Sequence, residues 1–374
     1  MSEVIGFCYL KTGGGHSTGA ASLMAKISSL HPSVRCIMYD PLEKKATFAS
    51  LFFEKGYFLT SNYLTLFYVC FYKLTSHHFA LKIAQFLYRK FFVKRLVKFL
   101  KREKVTKVVC THEILVCHLR EAIDIVNPSI KLITIVMDPF TCHPIWFYEK
   151  RTHLIVFSSK LETEAINKYH FPKEMVHKFS LMLSEKFDVP YSIEEKIRAK
   201  QELGIPENTK VVLLAGGGEG LNNAARLILL FLKRGFKEHI VVVCGKNKKL
   251  KKLIDLLVSH YKAKNVHVFG FVSFMPALMN IADCIISKSG PATIMEALSL
   301  NKPLILCSYV RGQELGNMLF VTLKSAGYYL PSSLSAVRKT EEILRAPTQE
   351  IVENIKKLNI KNGVKDIAEF VVSL

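Results

Sequence analysis

The 374-residue chain is poor in acidic residues, has one tryptophan, and lacks the cysteine spacings that staple small domains. Asp and Glu number 31 against 52 Lys and Arg, a formal charge of +21 that calls for an anionic partner or surface. Nine cysteines are present in an odd count without a CxxC pair, which argues against a disulfide framework or a zinc site and for a reducing compartment. Cys110, Cys244 and Cys284 lie in apolar runs and read as small core residues. Low-complexity tracts and short repeats are missing, so no disorder is expected. The first residues show no charged start followed by an apolar block, so no signal peptide is expected. Helix-turn-helix, zinc-finger, RRM and KH signatures are absent, and nucleic acid is not the expected partner. The longest uncharged stretch, residues 56–72, is marginal for a span of about 20 residues and holds Thr60, Ser61, Asn62 and Thr65. It fits a monotopic membrane contact better than a crossing.

What is present is enough apolar material for two cores: 49% hydrophobic residues and a mean hydropathy of +0.20. Residues 5–10 read as a buried strand running into Lys11-Thr12-Gly13-Gly14-Gly15-His16, with a helix over 17–30. About two hundred residues later the design repeats: a strand over 210–215, then Gly216-Gly217-Gly218-Glu219-Gly220, then a helix over 222–234. Neither loop is a P-loop or a GxGxxG. Glycines let the backbone approach a ligand at the carboxyl edge of a parallel sheet. Two such units predict an α/β protein of two Rossmann-like domains facing a central cleft, hinged near 184–194.

The densest pattern is SKSGPATIMEAL at 287–298, following the apolar run 283–286. Gly290 and Pro291 stand where a helix begins, and its free N–H groups and partial positive charge suit a pyrophosphate, with Lys288 and Thr293 nearby. Glu296, about one and a half turns in, is placed to accept hydrogen bonds from ribose hydroxyls. Gln313, Glu314 and Asn317 follow the next strand, 303–307, with 313 and 317 expected on one helical face. Their amides suit the hydroxyls of a hexose. After a strand over 132–136 comes Asp138, then Cys142-His143-Pro144-Ile145-Trp146. Asp138 ends a strand, where it would act as a general base or orient His16, while His143 and Trp146 either line an acceptor path or simply pack.

The order of these motifs resembles the glycosyltransferase group of monogalactosyldiacylglycerol synthases and processive diacylglycerol glucosyltransferases, related to the lipid II-forming N-acetylglucosaminyltransferase. The resemblance covers residues 4–330. It implies a GT-B fold, with an acceptor- and membrane-binding domain over 1–183, a UDP-sugar domain over 195–347, and helices over 348–374 packing back toward the first domain. It implies an inverting transfer of galactose or glucose from a UDP-sugar to a lipid hydroxyl, diacylglycerol first, with a sterol or polyprenyl acceptor as the alternative. His16 and Asp138 would be catalytic. Gly14, Gly15, His143 and Trp146 would serve the acceptor. Gly217, Gly218, Glu219, Gly220, Phe271, Val272, Lys288, Gly290, Pro291, Thr293, Glu296, Gln313, Glu314 and Asn317 would serve the donor, with uracil at Phe271-Val272. No metal and no cofactor are expected, since the UDP-sugar is a substrate. The chain departs from the group's Gly-Pro-Gly-Thr at Ala292. A non-hydrolysing UDP-sugar 2-epimerase, or a silent UDP-sugar-binding protein, would share the architecture.

The charge is uneven. Residues 73–107 hold eleven Lys or Arg and one acid, Glu103, interleaved with aromatic and aliphatic side chains. Lys90, Lys94, Lys98 and Lys101 fall on one helical face and Phe92, Leu96 and Phe99 on another, a pattern that suits an anionic membrane surface. The expected location is therefore the cytoplasmic face of a membrane, held peripherally.

Overall fold

The computed structural model describes residues 3–11, 15–42, 65–346 and 349–374. The chain splits into two compact units. Unit 1 comprises Met1–Ser184, Val310–Gln313 and Asn362–Leu374, and unit 2 comprises Glu185–Tyr309 and Glu314–Lys361.

Unit 1 is built on six strands: β1 (Val4–Cys8), β2 (Arg35–Tyr39), β3 (Lys107–Cys110), β4 (Lys131–Ile135), β5 (His153–Val156) and β6 (Val176–Lys178). They run parallel in the order β2-β1-β3-β4-β5-β6. Its helices are α1 (Gly15–Leu30), α2 (Thr65–Thr75), α3 (His78–Glu103), α4 (Val116–Val126) and α5 (Ser159–Thr163), with the C-terminal helix Val364–Ser373. Every residue of β1 is buried, as a parallel strand covered on both faces must be. Alternation sorts the side chains into two cores. Val4, Cys8, Val108, Cys110 and Leu132 meet Phe92, Leu96 and Phe99 of α3. Ile5, Phe7, Val109 and Ile133 meet Ala20, Leu23 and Ile27 of α1 together with Ile367, Ala368 and Val371 of the C-terminal helix.

That placement corrects the expected face of α3. Phe92, Leu96 and Phe99 are 0%, 0% and 1% exposed, because the sheet takes up the apolar face of this half of the helix. The exposed apolar stripe lies one to three turns earlier, at Phe79, Ile83, Phe86 and Leu87, with Leu74 at the end of α2. The uncharged stretch 56–72 lies mostly outside the described residues. No described helix is long and apolar enough to cross a membrane.

The C-terminal stretch divides. The side chain of Asn362 accepts from Leu183 N at 2.9 Å and donates to Leu183 O at 3.0 Å. Beyond that anchor, Lys107 Nζ holds the last carbonyls of the C-terminal helix, those of Val371 at 3.2 Å and Val372 at 2.5 Å. The preceding helix, Gln349–Lys357, stays in unit 2.

Unit 2 has strands β7 (Val211–Ala215), β8 (His239–Val243), β9 (Val266–Phe269), β10 (Cys284–Lys288), β11 (Leu304–Ser308) and β12 (Gly327–Tyr329). All are parallel, ordered β12-β11-β10-β7-β8-β9. Its helices are α6 (Ile193–Glu202), α7 (Ala224–Lys233), α8 (Lys248–His260), α9 (Met275–Ile281), α10 (Pro291–Ser299), α11 (Leu315–Leu323), α12 (Ser333–Arg345) and α13 (Gln349–Lys357). In each sheet the strand order reverses at one point, between β1 and β3 in unit 1 and between β7 and β10 in unit 2. Open α/β sheets bind ligands at the carboxyl ends of such strand pairs.

Candidate active site

In unit 1, β1 and β3 end in register at Cys8 and Cys110. The chain leaves β1 toward the N-terminus of α1, where Gly15 and His16 open the helix; Gly14 lies outside the described residues. It leaves β3 as Thr111-His112-Glu113. His16 Nδ1 lies 2.6 Å from Thr111 O, and Thr111 Oγ1 donates to His16 O at 3.1 Å. A carbonyl only accepts, so Nδ1 donates and the lone pair of the neutral ring sits on Nε2. That is the form a base needs. His112 packs beside it, ring centroids 4.7 Å apart. Burial pushes His112 down to about 4, which keeps this ring neutral.

Glu113 completes the group. One side-chain atom each from His16, His112 and Glu113 lies within 4.8 Å of the others. Burial raises the Glu113 carboxyl, but the charges of His112 and His16 and its own backbone N–H pull harder, and the net shift is downward. Two imidazoles and a carboxylate are a composition that zinc accepts, and the geometry argues otherwise. His112 Nδ1 accepts from Ile114 N at 3.3 Å, so its proton is on Nε2. This leaves two lone-pair donors where zinc sites use at least three protein ligands.

Asp138 follows β4 and is 5% exposed. Gln313 Nε2 donates to its two carboxylate oxygens at 3.1 and 3.3 Å, and Thr141 Oγ1 donates to Gln313 O at 2.7 Å. All three belong to unit 1. His143 caps the short 3-10 helix Pro144–Phe147, accepting from Ile145 N at 3.2 Å. Its Nε2 meets Thr75 Oγ1 at 3.1 Å and Tyr72 O at 3.3 Å, joining this turn to α2. Trp146 is fully enclosed at 0% exposure in the core around α3, so it packs and presents no face to an open acceptor path.

In unit 2 the glycine turn after β7 is demanded by the backbone. Gly217 has φ +78°, and a Cβ on Gly216 would lie 2.3 Å from Gly220 O. Glu219 is exposed at the turn's tip. After β10, Gly290 is the N-cap of α10 with no side-chain cap, and Pro291 takes the first helical position. The first-turn N–H groups of Ala292 and Thr293 thus have no capping side chain from Gly290, an arrangement that receives anions. Lys288 Nζ bonds Glu314 Oε1 at 2.6 Å, and both atoms would stand 3.8 Å from a Cβ at Gly290. Asn317 Nδ2 donates to Ser289 O at 2.9 Å. Glu296 is partly buried on α10, and burial raises its carboxyl to about 7. Phe271 is 70% exposed beyond β9, with Val272 half-buried beside it, and so offers an open ring face.

Lys288, Gly290, Glu314 and Asn317 thus come together in unit 2. Gln313 does not join them. Gly312 turns with φ +91° and α11 begins only at Leu315, so Gln313 precedes the helix and cannot share a face with Asn317. Sequence reading passed over Thr111, His112 and Glu113. Their signal was available: polar residues directly after the apolar run of β3, the strand that lies beside β1 at the strand-order reversal.

Residues 16–178 match the family described as monogalactosyldiacylglycerol (MGDG) synthase, and residues 211–371 match the glycosyltransferase family 28 C-terminal domain. The chain is 34% identical over 206 residues to monogalactosyldiacylglycerol synthase 1, chloroplastic, of Arabidopsis thaliana, covering 53% of this chain and 38% of the relative. It is 32% identical over 247 residues to monogalactosyldiacylglycerol synthase 2, chloroplastic, of the same plant, covering 63% and 52%. The chain therefore spans about half or less of the length of these relatives. Among solved structures, MurG of Acinetobacter baumannii overlays with a TM-score of 0.64 at 12% identity, covering 100% of both chains. Anabaena Alr3699/HepE in complex with UDP-glucose gives 0.56 at 13%, covering 99% and 96%. A UDP-GlcNAc 2-epimerase from Neisseria meningitidis gives 0.59 at 15%, covering 100% and 99%. Two parallel Rossmann-like halves of this kind define the GT-B fold. The first half is thus similar to the monogalactosyldiacylglycerol synthases and the second to the glycosyltransferase family 28 C-terminal domain.

Proposed function

We propose that the protein is an inverting hexosyltransferase that moves galactose or glucose from a UDP-sugar to the hydroxyl of a membrane lipid, diacylglycerol first. The observation that carries this reading is the His16–Thr111 bond, which leaves Nε2 as a base at the mouth of the glycine turn. In the reaction His16 Nε2 takes the proton of the lipid hydroxyl and the oxygen attacks the anomeric carbon. The bond from that carbon to the β-phosphate oxygen breaks, and UDP leaves with inverted sugar stereochemistry behind it. The α10 N-terminus and Lys288 stabilise the departing diphosphate. Glu296 holds the ribose and Phe271 the uracil, while Glu314 and Asn317 bear on the hexose side. Asp138 orients the acceptor end.

The exposed stripe of Leu74, Phe79, Ile83, Phe86 and Leu87, set among Lys73, Lys82, Arg89 and Lys90, supports a peripheral seat on an anionic membrane surface. A fold neighbour solved in complex with UDP-glucose, and sequence relatives described as monogalactosyldiacylglycerol synthases, support the donor and acceptor classes.

The test is transfer of radiolabel from UDP-galactose and, separately, UDP-glucose into chloroform-extractable product on anionic liposomes containing diacylglycerol. Label entering the lipid phase from one donor identifies reaction and sugar together. If UDP binds yet neither donor labels a lipid, while UDP-N-acetylglucosamine is epimerised without liposomes, the transferase reading is wrong.

A further inference from the structure

We infer that Glu113 is a positioning residue for the transfer, its carboxylate balancing the positive charge that His16 gains when it takes the acceptor's proton. The inference rests on the reading of His16 as the base.

Three observations carry it. First, Glu113 sits on a rigid turn: it opens the 3-10 helix Glu113–Leu115, which His112 caps through Ile114 N. Second, a Glu113 oxygen lies within 4.8 Å of a ring nitrogen of each histidine, with Oε2 3.7 Å from His112 Nδ1. Third, Oε2 is shut away from solvent without a hydrogen-bond partner. A buried carboxylate oxygen without a donor is costly, and folds keep one when a charge elsewhere in the site makes use of it. Here the charge appears during the reaction, on a ring whose Nδ1 is already committed to Thr111 O. His112 is held neutral and cannot supply that balance, because it has no negative charge to offer.

The groups bearing on Glu113 come from each neighbouring segment. They are His16 on α1, His112 on the same turn, Cys110 at the end of β3, and Cys142 and His143 ahead of the turn at Pro144–Phe147. Of the ionisable partners in this set, only the imidazoles become cations. Removing the carboxylate should therefore make His16 harder to protonate.

The experiment compares wild type, Glu113→Gln and Glu113→Asp in two measurements on the full chain. In the transfer assay, Glu113→Gln should lower kcat roughly 10- to 100-fold with KM for the UDP-sugar unchanged, and the acidic limb of the pH–rate profile should move to lower pH. Glu113→Asp should restore part of the rate. By NMR, the midpoint of protonation of the His16 ring should lie at lower pH in Glu113→Gln than in wild type. Equal rates, equal profiles and an unmoved His16 titration would overturn the inference, as would an equal rate loss in Glu113→Asp with no change in titration. The NMR arm needs no turnover. A His16 titration that moves in a protein that transfers no sugar would support the coupling while sinking the transferase reading.

Discussion

Gln313 donates its side-chain amide to both oxygens of Asp138, at 3.1 and 3.3 Å, and Thr141 in turn holds the Gln313 carbonyl at 2.7 Å. Asp138 is 5% exposed, so the amide supplies hydrogen bonds that water cannot reach easily. Gln313→Glu keeps the shape and replaces the donor with a second carboxylate. At pH 8 this should cost about 1–3 kcal/mol and lower the thermal midpoint by several degrees. At pH 5 the introduced carboxyl can take a proton and donate again, so the gap to wild type should narrow. Thermal unfolding of both proteins at the two pH values measures this. A gap that is equal at pH 5 and pH 8 would remove the Asp138–Gln313 contact from the stability of unit 1.

The roles proposed for His16 and Asp138 separate chemistry from binding. The proposed donor groups all lie in unit 2, whereas both of these residues lie in unit 1. His16→Gln and Asp138→Asn should each cut transfer roughly 100-fold or more while UDP affinity, measured by calorimetry, stays within about two-fold of wild type. Asp138→Asn is the gentler change sterically, yet it alters a buried carboxylate, so its folding should be checked by circular dichroism. Equal loss of UDP affinity and turnover in either variant would place that residue on the donor side.

The ribose role proposed for Glu296 makes donor binding depend on pH. Burial raises its carboxyl from 4.5 to about 7, so near neutrality a large share of the free protein carries it protonated. If the carboxylate form accepts the ribose hydroxyls, the donor binds best where Glu296 is ionised. A UDP-sugar keeps its diphosphate charge constant over this range, so affinity should rise about 10-fold between pH 6 and pH 8 and level off beyond. Binding near pH 7 should release protons, visible as a buffer-dependent calorimetric enthalpy. Stability runs the opposite way. A carboxyl whose folded value is raised contributes stability that is full below 4.5 and is lost as the pH rises through about 7. Glu296→Gln should bind the donor more weakly at pH 8, flatten the affinity profile, and remove this part of the pH dependence of unfolding. A wild-type affinity profile that is flat from pH 6 to pH 8 would count against the ribose role.

Much of the fold was legible because parallel strands buried on both faces leave unbroken apolar runs. The runs at 132–136 and 210–215 fall within a residue of β4 and β7. Gly290-Pro291 marked the start of α10 for a local reason, since proline is at home in the first helical position. The candidate site was less legible where it depended on where a helix starts. Glu314 serves as N-cap of α11 without its side chain capping the helix, and nothing in the spacing of Gln313 and Asn317 signals that the first precedes the helix. Glu113 was invisible for another reason. Its meaning comes from β3 lying beside β1, a pairing between residues about one hundred positions apart. Periodicity along α3 likewise separates a basic face from an apolar one and cannot say which stretch of the apolar face the sheet will cover.

That last distinction yields a prediction with two opposed arms. Along α3 the early aromatics are open, with Phe79 at 77% and Phe86 at 74% exposure, while Phe92 is at 0%. A membrane can insert only the open ones, and each buried aromatic gives up part of its water-exposed area on transfer. The double change Phe79→Ser and Phe86→Ser should reduce cosedimentation with anionic liposomes about 10-fold or more, leave the unfolding midpoint within a degree or two, and leave UDP binding unchanged. Phe92→Ser acts on the core instead, where removing an enclosed ring costs about 3–5 kcal/mol, and should lower the midpoint sharply. The Lys residues beside the stripe add a salt-dependent share, so binding of the wild type should weaken as ionic strength rises and as anionic lipid is replaced by neutral lipid. Should the double variant bind liposomes as well as wild type, the stripe is not the seat, because these two side chains carry its largest exposed area at helical spacing.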